Sequence, residues 1–285
     1  MRQAAQDLAA TLPPLLVAAQ RVAHTVVPGA HGRRRAGPGD DFWQFRPYQH
    51  FDSARLIDWR RSARGDTPFV REREIENAQT VYLWRDASPS MRWHSDRALP
   101  EKRERAALLT MALAVLLVEA GERVALLGEA LRPRTGRSAL EPMADLLTAT
   151  ADGAGSLPNH EPLPRHATAV IVGDLLDPLA DIDGLVRHWA AEGVHGHLIQ
   201  VTDPAEESFP YRGRVRFEGL EAEPETLLGR AEQVAEAYVD RLARHRDGLV
   251  TLARRAGWTF AHHVTDRPPE TALLALYAAI GGRFE

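Results

Sequence analysis

The stretch TVYLWRDASPSM, residues 80–91, decides the fold. Its first five residues have strand composition, and they run directly into a loop where Asp86, Ser88 and Ser90 place an oxygen-bearing side chain at every second position. Downstream, apolar strands alternate with helical segments. Residues 101–120 read as a helix, RVALLG (123–128) as a strand, ALEPMADLLTA (139–149) as a helix and ATAVIV (167–172) as a strand. A helix over 178–192, a strand GHLIQV (196–201) and a short ribbon near RGRVRFEG (212–219) follow. A long helical stretch from about 226 to 255, a strand WTFAHHV (258–264) and a helix TALLALYAAI (271–280) complete the pattern. Alternation at this spacing predicts an α/β fold, a mainly parallel sheet with helices on both faces. Right-handed crossovers then bring the functional loops to the carboxyl ends of the strands, and RDASPSM is such a loop.

Upstream the pattern differs. Residues 6–26 read as a helix interrupted near Pro13-Pro14, and GRRRAGPGDDFWQFRPY shows no period, which predicts irregular structure or short strands to about residue 75. The expected organisation is therefore a helix and an Arg/aromatic-rich extension over 1–75, then an α/β domain over 76–285 with a small ribbon within 202–222.

Asp86, Ser88 and Ser90 admit three chemistries. A carboxylate with two hydroxyls offers hard oxygen ligands to a small divalent ion. The same residues after a strand also serve as helix caps. An aspartyl nucleophile would make the chain a metal-dependent phosphohydrolase using Asp86, but position 88 is Ser where that chemistry favours a second Asp, and the one lysine, Lys102, is not in a matching place. Neither serine sits in a Gly-x-Ser-x-Gly elbow. ATAVIV ends in Gly173-Asp174, which can bring a second carboxylate to the same edge, and the loop RPRTGRS (132–138) offers Thr135 and Ser138.

Composition narrows the field. With no cysteine, thiolate zinc sites, iron–sulfur ligation and disulfides are excluded. The Walker pattern is missing around Gly32, Gly37 and Gly39, so any ATPase is expected on a partner. The longest apolar run, 107–120, is too short to span a bilayer, and no signal-peptide order precedes it, so a cytoplasmic location is expected. Arginines crowd between Arg33 and Arg73 beside Trp43, Phe45, Tyr48 and Trp59. Nucleic-acid binding through 31–73 is one reading, but the interleaved Asp40, Asp41, Asp52 and Asp58 offset the positive field and favour packing. His195/His197 and His262/His263 lie in or beside strands without further ligands nearby, which predicts burial or edge placement.

Several blocks together resemble the domain of unknown function 58 family, whose C-terminal part is related to the von Willebrand factor A fold. They are HGRRRAGPGDDFWQFRPY (31–48), Ile57-Asp58-Trp59-Arg60, YLWRDASPSM, RAALLTMALAVLLVEAGERVALL, VTDPAEESFP (201–210) and HVTD (263–266). The resemblance implies a metal-ion-dependent adhesion site in which Asp86, Ser88 and Ser90 hold the ion, Mg²⁺ or alternatively Mn²⁺ or Ca²⁺. Thr135 or Ser138 would be the second-loop ligand and Asp174 the third, often through water. It implies a non-enzymatic module that binds an acidic side chain of a protein partner, working with a MoxR-type AAA+ ATPase and other von Willebrand factor A-type proteins, with membrane association only through partners. The chain departs from the family pattern twice: Phe51 precedes Asp52 where Gly is expected, and Gly173 precedes Asp174 where Ser is common.

Overall fold

The structure is a computed structural model and describes residues 13–26, 36–49, 57–63, 68–74, 79–129, 131–149, 155–221 and 224–281. The chain divides into two compact units, one of residues 1–29 with 79–285 and one of residues 30–78.

The larger unit is built on five parallel strands, β3 (Thr80–Arg85), β4 (Arg123–Leu126), β5 (Thr168–Gly173), β6 (His195–Thr202) and β9 (Thr259–Val264), in the order β4-β3-β5-β6-β9. The period-2 alternation of each strand feeds two separate cores. Val81, Leu83, Val170, Val172, Ile199 and Val201 point to one face, where α1 (Pro14–Val26), α3 (Lys102–Glu119), α4 (Leu140–Thr148) and α8 (Pro269–Gly281) pack. Trp84, Ala169, Ile171 and Leu198 point to the other, against α5 (Leu179–Ala191) and α7 (Ala235–Arg255). This is the expected doubly covered α/β sheet, of von Willebrand factor A type. Helix α3 lies beneath α1 and α8 and is buried almost all round, which explains why ALLTMALAVLLV lacks a polar face. No helix among the described residues is long and apolar enough to cross a membrane.

The stretch from 226 is not one helix. Thr226–Leu228 forms β8, paired antiparallel with β7 (Val215–Phe217), and α7 begins only at Ala235. β-Branched Thr226 beside two leucines suits a ribbon, and Gly229 breaks any helix that starts before it. The ribbon is secured by aromatics: Phe209 stacks on Phe217 at 5.7 Å and lies 4.8 Å from Tyr238 of α7.

The smaller unit contains an antiparallel pair, β1 (Ala36–Pro47) and β2 (Phe69–Glu74), with register shifts between Gly37 and Gln44. It also holds a single-turn helix, α2 (Trp59–Ser62), capped by Asp58, whose carboxylate accepts from Arg61 N at 2.9 Å. Arg61 lies over the Phe69 ring at 5.4 Å, while Trp59 is exposed. Arg33–Arg35 and the Phe51-Asp52 pair lie outside the described residues.

Candidate functional site at the carboxyl edge of the sheet

The backbone of Asp86 extends the β3–β5 ladder by one rung, its N–H donating to Val172 O at 2.8 Å. That bond fixes Asp86 beside Gly173, the last residue of β5. The chain then turns sharply, with Ser88 N donating to Asp86 Oδ1 at 2.8 Å, and Pro89–Met91 winds into a 3-10 turn. The turn brings the two hydroxyls together, Ser88 Oγ and Ser90 Oγ being 3.0 Å apart, and Ser90 Oγ donates to Asp174 Oδ2 at 2.9 Å. The structure thus gathers Asp86, Ser88, Ser90 and Asp174 into one site.

Helix capping does not describe these residues. Ser88 makes no side-chain cap bond, and α5 starts behind Pro178, four residues beyond Asp174. Asp174 is instead held rigidly: its carbonyl accepts from Gln200 Nε2 at 3.0 Å, and the next residue, buried Leu175, takes a left-handed φ of 49°. A branched side chain adopts that backbone only where its surroundings enforce it. Gly173 has an equally specific reason. A Cβ there would lie 2.8 Å from Asp86 Cβ and 3.1 Å from Asp86 Oδ2, so a serine at this position would collide with the central carboxylate.

Asp86 is fully buried, and its Oδ2 has no hydrogen-bond partner. Burial, reinforced by the nearby charge of Asp174, pushes its carboxyl up to about 7. Such an oxygen calls for a proton or a cation. The donor set, two carboxylates and two hydroxyls, is hard and suits Mg²⁺ or a similar ion, so the site fits the group that the fold implies. Among the described residues no three His, Cys, Asp or Glu side chains form a metal-holding group.

Thr135 and Ser138 are not brought to the site. After β4 the chain doubles back, and Arg134 pairs with Val124, which stands opposite Val81 on β3. Val81 precedes Asp86 by five residues, so Arg134 lies roughly 16 Å back along the sheet at about 3.3 Å per residue, with Thr135 next to it on the side away from Asp86. Both residues are exposed. A crossover loop ordinarily stays at the carboxyl end of its strand; this one returns along the edge.

Three residues join the site without a signal in the loop motif. Lys102, the first residue of α3 and 1% exposed, donates to Asp174 Oδ2 at 3.0 Å and to Glu206 Oε1 at 2.7 Å. Burial works against its charge, but Asp174 and Glu206 outweigh that and hold the ammonium above its ordinary value. Glu206 belongs to α6 (Pro204–Ser208), which is fixed by a reciprocal cap with Asp203. Glu221, beyond β7, accepts from Ser90 N at 3.1 Å. The histidines lie elsewhere: His197 is buried against Thr259 at 2.6 Å, and His262 contacts Glu207 and Thr202.

A family profile described as "Protein of unknown function DUF58" matches residues 44–248. The uncharacterized proteins Rv1480 of Mycobacterium tuberculosis (strain ATCC 25618 / H37Rv) and Mb1516 of Mycobacterium bovis (strain ATCC BAA-935 / AF2122/97) are each 28% identical over 275 residues, covering 91% of this chain and 86% of theirs. Among solved structures, conserved hypothetical protein BatB from Bacteroides thetaiotaomicron superposes with a TM-score of 0.44 at 13% identity, covering 72% of this chain and 98% of that one. An aerotolerance-related membrane protein from Bacteroides fragilis NCTC 9343 gives 0.42 at 14%, over 72% and 99%.

Proposed function

The chain belongs to the DUF58 family, and from that premise we propose that it is a protein-interaction module whose binding edge is completed by a divalent cation, Mg²⁺ foremost. Asp86, Ser88 and Ser90 hold the ion, and Asp174 supports it directly or through water. The bound ion supplies an electrophilic position for a partner's carboxylate. The observation that carries this reading is the fully buried, unpartnered Oδ2 of Asp86 in the loop that also brings the Ser88 and Ser90 hydroxyls together. The burial that suits a ligand is poor for a nucleophile, which a substrate must reach, and this favours binding over phosphoester hydrolysis. Glu221 supports the same reading, since its carboxylate accepts from Ser90 N beside the hydroxyls, an acidic side chain held at this edge. The blocks shared with the family suggest a MoxR-type AAA+ ATPase as the partner.

Mn²⁺ titration followed by electron paramagnetic resonance tests the ion site. One saturable site is expected in wild type and none in D86N. Association with a purified MoxR-type ATPase should require Mg²⁺ and fail with D86N. Association indifferent to both EDTA and D86N would overturn the reading.

A further inference from the structure

The single lysine of this chain occupies an odd place. It opens helix α3, where the exposed N–H groups disfavour a positive charge, and it is buried, which disfavours any charge. Only specific carboxylates compensate for both, and Lys102 touches two, Asp174 on the edge that carries the candidate ion site and Glu206 on α6. Asp174 Oδ2 is therefore shared: it accepts from Ser90 Oγ at 2.9 Å on one hand and from Lys102 Nζ at 3.0 Å on the other. A divalent ion drawn to the Ser90 hydroxyl must contend with an ammonium already bonded to the same carboxylate oxygen.

Charge sharpens the point. Two carboxylates, those of Asp174 and Glu206, contact the ammonium, and Asp86 adds its charge beside Asp174. With Glu221 on Ser90 N as well, carboxylates outnumber the ammonium, which offsets only part of the excess negative charge. Without Lys102 the excess would grow by one, and the ion would face Asp174 undivided. Removing Glu206 acts in the opposite sense, because Lys102 then falls wholly to Asp174.

We infer that Lys102 is a resident counter-cation that competes with the divalent ion for Asp174, and that Glu206 moderates this competition by drawing part of the ammonium away. The pair sets the affinity of the site. This rests on the reading of Asp86, Ser88 and Ser90 as ion ligands.

The test is Mn²⁺ affinity, measured by electron paramagnetic resonance on the full chain in wild type, D86N, K102M and E206Q. K102M should bind about tenfold tighter or more, the scale of one unit charge acting through a partly screened path of several ångströms. E206Q should bind several-fold more weakly. A purely structural role for the lysine makes the opposite forecast for K102M, because a loosened Asp174 weakens the site. K102M binding equally or more weakly while wild type shows a D86N-sensitive site overturns the inference alone; wild type without such a site overturns the underlying reading. If K102M does not fold, E206Q decides: unchanged or tighter binding there refutes the competition.

Discussion

In the metal-free protein, Asp86 should act against stability at neutral pH, and D86N should relieve it. The folded carboxyl titrates at about 7, against 3.8 in the unfolded chain. Because the folded value is the higher one, the folded state holds its proton longer. Between those two pH values the unfolded state ionises first, and stability falls by about 1.4 kcal/mol per pH unit. Below 3.8 the residue is neutral in this respect; above about 7 the loss levels off at roughly 4 kcal/mol. Asparagine keeps an acceptor for Ser88 N but buries an amide N–H₂ in place of Oδ2, which costs about 1–3 kcal/mol. The net gain for D86N at pH 8 in EDTA is therefore about 1–3 kcal/mol. The change in that gain from pH 8 to pH 5 does not depend on the asparagine term and should be roughly 2.5 kcal/mol. Urea midpoints of wild type and D86N at the two pH values give the answer directly. Millimolar Mg²⁺ should raise the wild-type midpoint at pH 8 and leave D86N unmoved. A D86N variant destabilised by the same margin at both pH values would refute the argument that Asp86 is a buried carboxylate in need of a cation.

G173S should lower stability by about 1–3 kcal/mol and weaken Mn²⁺ binding, because its Cβ meets Asp86 at 2.8 Å; an unchanged urea midpoint and unchanged Mn²⁺ affinity would refute the close approach. His263 should oppose Asp86 in the pH profile. Burial, aided by Arg105, holds its imidazole down at about 4, below its ordinary 6.5, so its share of stability rises with pH between those values and is lost below them. H263Q in EDTA should unmask a net fall in stability from pH 4 to pH 6.5, measured by urea midpoints, where wild type is flatter; parallel profiles would contradict it.

The sheet was legible because its strands obey simple rules. TVYLW and ATAVIV are largely apolar on both faces, as strands covered by helices on both sides must be, GHLIQV adds Leu198, Ile199 and Val201 to the two cores, and their spacing leaves room for crossovers. The oxygen triplet was legible because a two-residue period within one tight turn is a local property. What escaped reading depended on the path of the chain between elements. Nothing in RPRTGRS announces that Arg134 returns to pair with Val124, and that return removes Thr135 from the site. Likewise, Thr226–Leu228 forms a strand because Val215–Phe217 lies opposite, a pairing absent from the helical-looking composition of 226–255.

Lys102 exposes a different limit. By spacing it is one charged residue among EKRERA at the head of a helix, where surface exposure is the ordinary expectation. Two clues were nonetheless present: it is the only lysine in a chain rich in arginine, and it stands at the helix end that repels cations. Arginine would project a broad fork, whereas an ammonium is compact and can serve two carboxylates from one point. The bonds to Asp174 and Glu206, at 3.0 and 2.7 Å, use that property. The site is therefore defined by the oxygen motif together with a point charge supplied from 16 residues beyond Asp86, and only the folded chain joins the two.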